Sequence, residues 1–292
     1  MNHIHTRHIP QQHRPGQHLG RHVDHDPRSL AYAHGVLPAS AIKPVAWTRR
    51  IPVLDQGQLS SCTGQALTGV LGTDSAGRTA TPSVVVIADT KGIFTPGAHA
   101  LDEDFAVHAY ELNTLLDNIR GQYPPDDTGS TGLACGKTGK ALGLLSGYTH
   151  AFSLDALKSA LQQGPVMIGI VWLNSMFDPL VNGTITVDRT SGIAGGHELV
   201  VSAWDGARFR LDNSWGAAWG DQGSGWVSES DMAWLLAQDG DVTVPAFISA
   251  PAPTPVPSPP PSPAPPPAPG LDPRLVQAYA LMGEWAHDNG VA

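Results

Sequence analysis

One of only two cysteines in this 292-residue chain, Cys62, lies in the stretch VLDQGQLSSCTGQAL, six residues after Gln56. A cysteine attacks an acyl carbon only as its thiolate. It therefore needs a setting that favours the anion, a base within reach, a group that orients the base, and donors for the developing oxyanion. The chain offers a residue type for each. Cys62 follows a Gln56-Gly57 turn and opens an apolar segment through Ala66, Leu67, Val70 and Leu71 at helical spacing, so it stands at a helix N-terminus, whose free N–H groups favour a thiolate. His197, in GIAGGHELVVSAW, is expected at the mouth of a strand and is the candidate base. Asn213, in RLDNSWGAAWG, follows sixteen residues later at the end of the next strand and is the candidate orienting group. Gln56 can donate an amide N–H to an oxyanion beside the Cys62 backbone N–H.

The elements that must position these residues separate into two halves. Residues 41–249 form the expected body. Helical spacing marks segments from Cys62, then 105–119, 132–145 and 153–164. Strand-like runs follow at 165–172, 184–188, 198–204, 207–213 and 225–228, separated by Gly and Asp/Asn turns. Helices first and strands afterwards imply an α+β domain with two lobes and a cleft between them.

QGQLSSC, GGHELVVSAWDG and LDNSWGAAWGDQGSGWVS resemble the active-site blocks of the papain-like cysteine peptidases, in that family's order. The resemblance spans about residues 50–230, firmly at the three blocks and loosely between them, and is closest to a bacterial and phage-encoded branch. It implies a papain-like two-lobed fold, with a helical lobe carrying Cys62 and an antiparallel β lobe carrying His197 and Asn213. It assigns Cys62 as nucleophile, His197 as its ion-pair partner and proton carrier, and Asn213 as the group holding the imidazole. Gln56 becomes the oxyanion donor, and Trp215 the cover over the His197–Asn213 bond. No cofactor is implied. Two departures stand out. Leu59 and Ser60 replace the family's Cys-Gly, and Thr63 replaces the Trp after the nucleophile, which bears on the cleft wall more than on the chemistry.

Without these blocks each residue has a plainer reading: Cys62 as a structural cysteine, His197 as a core histidine, Asn213 as a turn residue. Cys135, in GLACGKTG, reads as a semi-buried free thiol, with a Cys62–Cys135 disulfide as the alternative. Asp102-Glu103-Asp104 and Asp126-Asp127 read as solvated loop charges rather than a metal site. Net charge −9 argues against nucleic acid as partner. No apolar run is long enough to span a bilayer or to form a signal-peptide core, and two cysteines fit a reducing compartment, so a cytoplasmic or virion-associated protein is expected.

Residues 1–40 hold eight of the thirteen histidines, with Arg7, Arg14, Arg21 and Arg28 seven apart. Pro10, Pro15, Gly16 and Gly20 interrupt any helix, so a solvated, mobile extension is expected, with residues 20–50 as a short regulatory strap over the cleft. Residues 250–270 are a Pro-rich linker of roughly 60 Å if extended at about 3.1 Å per residue. Residues 271–292 read as an amphipathic helix that would dock on its own domain, a partner or a larger assembly. The expected substrate is a peptide or protein. The same site also suits peptidoglycan stem peptides or an amide side chain, and a catalytically idle scaffold is the reading from a different class.

Overall fold

The computed structural model describes residues 5–248; the Pro-rich linker and the C-terminal helix expected from the sequence lie outside the described residues. In chain order the elements are β1 (His5–Arg7), β2 (Arg21–His25), β3 (Val45–Ala46), α1 (Cys62–Leu71), β4 (Ser83–Val86), β5 (Gly97–Ala100), α2 (Glu103–Leu116), β6 (Ser130–Thr131) and α3 (Gly132–Ala141). The second half runs β7 (Leu145–His150), α4 (Leu154–Leu161), β8 (Val166–Leu173), β9 (Ile193–Trp204), β10 (Arg208–Asp212), β11 (Ser224–Ser228), α5 (Glu229–Leu236) and β12 (Asp241–Phe247).

Local chemistry sets most helix starts. Asp102, Thr131, Ser153 and Ser228 each accept a backbone N–H from the first turn of α2, α3, α4 and α5. Helix α1 is different. All ten of its residues are buried and its N-cap, Ser61, makes no side-chain cap, so the N–H groups at Cys62 are not absorbed by a capping hydroxyl. Helix α2 crosses α1 so closely that a Cβ on Gly64 would meet the Ala106 carbonyl and come within 2.6 Å of Tyr110 N.

The main sheet has the order β11-β10-β9-β8-β12-β7, with β3 added beside β9. Strand alternation splits its two central strands between two cores. Met167 and Val200 face the helical lobe with Leu67, Val70, Phe94, Phe105 and Leu142. Ile168, Ile170, Leu199 and Val201 face the other lobe with Trp172, Phe177, Phe209, Trp215 and Met232. Every residue of β8 is buried, which is why VMIGIVWL reads as an unbroken apolar run. The two-lobed α+β architecture is as expected.

β4, β5, β7 and α5 form where the sequence pattern suggests no element, and four further details differ. The segment 184–188 forms only a bridge from Thr184 to Trp226, because Gly183 and Ile185 exchange a single pair of backbone bonds with Trp226. Helix α3 stops at Ala141, since Gly143 takes φ +73° and turns the chain into β7. Strand β12 was not foreseen: Pro245 interrupts its pattern, and it is tolerated because β8 pairs only with Asp241–Thr243. The fourth difference is the largest. Residues 5–25 are not a solvated tail. β1 and β2 pair antiparallel, β2 pairs parallel with β6, and Ile9, Leu19, Arg21, His22 and Val23 are buried against the body. An extended strap docked in a groove needs no periodicity of its own, so no pattern marked it.

Candidate active site

His197 is the fifth residue of β9, inside the strand rather than at its mouth, and its cross-strand partner is Ile170. Asn213 follows the last residue of the neighbouring β10, where the antiparallel ladder pairs Asp212 with Val200. His197 and Asn213 thus meet as diagonal neighbours. Their bond runs from His197 Nε2 to Asn213 Oδ1 at 2.7 Å. The Ser214 backbone N–H, which can only donate, reaches the same Oδ1 at 2.8 Å, so that atom accepts and Nε2 carries the proton. The neutral ring then presents its lone pair at Nδ1, which makes no hydrogen bond.

Trp215 stacks on the imidazole, centroids 4.6 Å apart and planes at 21°, and Trp172 meets it edge-on at 5.1 Å. Water is excluded from the His197–Asn213 bond on both sides, which strengthens it. Trp172 was not singled out from the sequence; the available signal was an aromatic residue in a strand buried on both faces.

Cys62 is the first residue of α1, with its thiol fully buried beside the backbone of Glu198, one residue past His197. Gln56 reaches the site differently from expectation. Its side-chain N–H donates to Leu59 O at 2.7 Å and its Oε1 accepts from Ser214 Oγ at 2.7 Å, while its backbone N–H donates to Ser214 O. Gln56 therefore ties the loop before Cys62 to the turn that carries Asn213 and Trp215.

Asp102, Asp104, Asp126 and Asp127 are exposed, as expected of loop charges, while Asp127 and the half-buried Glu103 also make structural bonds. Asp127 accepts the Ser60 backbone N–H at 3.1 Å and the Tyr110 hydroxyl at 2.7 Å. Glu103 accepts from Asp55 N and from Gln65 Nε2. Both brace the approach to Cys62. Cys135 is a free thiol, fully rather than partly buried, donating to Thr63 O at 3.2 Å; Cys62 is also free, so no disulfide joins them. Among the described residues no group of His, Cys, Asp and Glu could hold a metal ion, and no helix is long and apolar enough to cross a membrane.

The strap lies across this site. Gly20 N donates to Gly196 O at 3.1 Å, Ser130 N to Gly20 O at 2.8 Å, and Trp215 Nε1 to His18 O at 3.1 Å. The Gln11 side chain caps Gly196 N at 3.0 Å. A Cβ at Gly20 would come within 2.7 Å of Ser60, and one at Gly195 within 2.7 Å of Leu19. Glycines on both partners permit the approach. The sequence places a strap at 20–50; the segment that crosses the cleft is 9–22. Under it, burial pushes the Cys62 thiol up to about 12, against hydrogen bonding with the backbone of Glu198 and Thr63. Burial also lowers His197 to about 4, partly opposed by Asn213. With the strap docked, both groups are held neutral.

No protein-family model matches the chain, and no curated protein matches its sequence. Among solved structures, xylellain, a cysteine protease from Xylella fastidiosa, aligns over 82% of this chain and 98% of its own at TM-score 0.58 and 16% identity. The chain has a papain-like fold. Digestive procathepsin L 3 of Tenebrio molitor larval midgut (21% identity, 73% of this chain, 74% of its own, TM-score 0.43) also aligns. So does the proform of Amb a 11, a cysteine protease and major ragweed pollen allergen (14%, 73%, 69%, 0.47); neither of these two scores adds to the argument. On this papain-like fold the structure brings together His197, Asn213 and Trp215, links Gln56 to them through Ser214, and sets Cys62 at the helix start facing β9.

Proposed function

We propose that this chain is a cysteine peptidase that hydrolyses peptide bonds through a thioester acyl-enzyme, with Cys62, His197, Asn213 and Gln56 as its machinery and a peptide or protein as its substrate. The observation that carries the reading is the His197–Asn213 bond of 2.7 Å beneath Trp215, with Nδ1 left bare. A structural histidine in a core would have both nitrogens satisfied. This one keeps a buried lone pair that a thiol proton can take.

The chemistry follows from these positions. Once the strap leaves, water and substrate reach the cleft, and the desolvation that keeps both groups neutral falls away. The Cys62 proton passes to His197 Nδ1, and the thiolate is stabilised by the open N-terminus of α1. Sγ attacks the substrate carbonyl carbon, and the oxyanion meets the Cys62 backbone N–H and the Gln56 amide. The carbon–nitrogen bond breaks as imidazolium Nδ1–H protonates the leaving amine. Water, deprotonated by Nδ1, then cleaves the thioester and frees the carboxylic acid and the thiol.

The test is hydrolysis of a proteome-derived peptide library by the full chain and by Leu19→Ala, which loosens the strap by removing a fully buried side chain. Leu19→Ala should cleave faster than wild type, and adding Cys62→Ser should abolish cleavage in both. Cleavage that survives Cys62→Ser, or none at all by a folded Leu19→Ala chain, would overturn the reading.

A further inference from the structure

Two buried side-chain amides line one small cavity behind the candidate active site, and each has a polar atom to spare. The cavity lies where α1 packs against β9 and β10, with Gln65 on the helix side and Asp212 and Asn213 on the sheet side, and it offers about 20 Å³ to the centre of a water molecule. Three side-chain atoms of these residues are buried without a hydrogen-bond partner: Gln65 Oε1, Asp212 Oδ2 and Asn213 Nδ2. Gln65 is 2%, Asn213 4% and Asp212 7% exposed, so bulk solvent does not satisfy them. One such atom is costly to leave unpaired, and here three share a single cavity.

Neither amide can be turned round to relieve this. Gln65 Nε2 donates to Glu103 Oε2 at 2.9 Å, which holds the nitrogen on that side and leaves Oε1 free. Asn213 Oδ1 already accepts from the Ser214 backbone N–H and from His197 Nε2, so Nδ2 is the atom left over. Asp212 Oδ1 is taken by Ser224 Oγ at 2.7 Å and Arg210 Nε at 3.2 Å, which leaves Oδ2. Glu198 lines the cavity as well, but its carboxylate lies against Gly132 and Gly169, toward α3 and β8. What remains is one donor and two acceptors. A single water matches that set, accepting from Asn213 Nδ2–H and donating to Gln65 Oε1 and Asp212 Oδ2. Buried waters make about three such bonds and need roughly 10–15 Å³ of this kind of space.

Such a water ties the helix that begins at Cys62 to the turn that holds the imidazole. Its bond to Nδ2 resists rotation of the Asn213 amide, and a flipped amide would set Nδ2–H against His197 Nε2–H, donor against donor. The hold matters because the other charges near the thiol oppose its ionisation. Asp127 and Glu198 both disfavour a thiolate at Cys62. The anion therefore depends on an imidazolium whose Nε2–H keeps a fixed acceptor.

We propose that Gln65 is a positioning residue: through one water shared with Asp212 it fixes the Asn213 amide, and thereby the orientation of His197 on which the Cys62–His197 ion pair depends. The inference rests on the peptidase reading and adds to it a residue that touches neither substrate nor the reacting atoms. Gln65 is suited to the task because Glu103 anchors its nitrogen, so its oxygen is presented to the cavity without further ordering.

Two measurements on the full-length chain test this. A crystal structure should place a water within about 3.2 Å of Gln65 Oε1, Asn213 Nδ2 and Asp212 Oδ2. A cavity that holds no water, or a Gln65 side chain turned out of it, overturns the inference whatever the activity of the chain. The second measurement follows alkylation of Cys62 by iodoacetamide, read by mass spectrometry, in Leu19→Ala with and without Gln65→Met. At about pH 6 Gln65→Met should slow labelling at least about fivefold, a part of what acid–base assistance supplies. The two rates should converge by about pH 10, above the ordinary thiol value of about 8.5, where the thiol ionises without help from the imidazole. When Asn213→Ala is present, adding Gln65→Met should change the rate less than about twofold, because Gln65 acts only through Asn213. Cys135 is fully buried, so its labelling reports any loss of fold. Equal rates at about pH 6, or a loss of the same size at both pH values, overturn the positioning role and leave the peptidase reading standing. A Leu19→Ala chain whose Cys62 labels no faster at about pH 6 than an ordinary thiol overturns both.

Discussion

In the proposed reaction Asn213 and Gln56 would act through different atoms, and their variants should separate accordingly. Asn213→Ala removes the acceptor for His197 Nε2–H, so the ring is free to turn Nδ1 away from the thiol. kcat should fall at least about tenfold with KM little changed, a part of the ~10²–10⁴-fold that acid–base catalysis supplies. Gln56→Ala takes away the proposed oxyanion donor and should cost roughly 10²–10³ in kcat. The bonds from Gln56 to Leu59 O and Ser214 Oγ add a second consequence: a stability loss of about 1–3 kcal/mol, read by thermal unfolding. A loss of turnover with no change in thermal midpoint would show that those bonds contribute nothing to stability. The spacing from Gln56 to Cys62 was legible in the chain; the Ser214 hydroxyl that joins Gln56 to the Asn213 turn was not, because it lies 158 residues away.

At the scale of elements, the approach of α1 to α2 decides where the Cys62 helix start comes to rest. Gly64→Ala would drive a methyl into the Ala106 carbonyl and to within 2.9 Å of Tyr110 Cβ. The obstacle is backbone, so the helices must separate, and a destabilisation of about 2–3 kcal/mol is expected from chemical denaturation. Activity should fall with it, since Cys62 is two residues away. The four expected helices appear because helical spacing and Asp/Ser/Thr caps are local properties. Strands β8 to β11 appear for the same kind of reason, as apolar runs cut by Gly and Asp turns. β12 was missed because its place between β8 and β7 depends on partners about 75 and 95 residues earlier in the chain.

For the whole molecule, the docked strap should be sensitive to acid. His22 Nδ1 accepts the Ile9 backbone N–H at 3.0 Å, and its Nε2–H donates to Thr128 O at 2.9 Å. His13 Nδ1 likewise accepts Leu19 N at 3.3 Å. A protonated ring cannot accept either bond. His22 faces His8, stacked at 3.8 Å, with Arg21 adjacent in the chain; burial, His8 and Arg21 lower it from 6.5 to about 4, opposed by Thr128. A base held below its ordinary value favours the docked state fully above pH 6.5, and that contribution is lost as pH falls from 6.5 toward 4. Hydrogen exchange of residues 9–24 should quicken relative to α1 across that window. Exchange that keeps pace with α1 down to pH 4 would show that these histidines do not hold the strap. Salt should weaken docking too, since Arg7 and Arg14 reach Asp239 and Asp178 through half-exposed pairs.

Residue types and short spacings by themselves determined the chemical kit, the helical half, most of the strand half and the order in which they occur. They did so because the candidate nucleophile, base and orienting amide each lie in a local motif, and because caps and apolar periods act over a few residues. Only the tertiary structure decided that the arginine- and histidine-rich first segment is a docked strap, that burial beneath it keeps the thiol and imidazole neutral, and that Arg21 pairs with Asp241 of β12. Those outcomes depend on burial and on a charge paired across 220 positions of chain, and neither has a local signature.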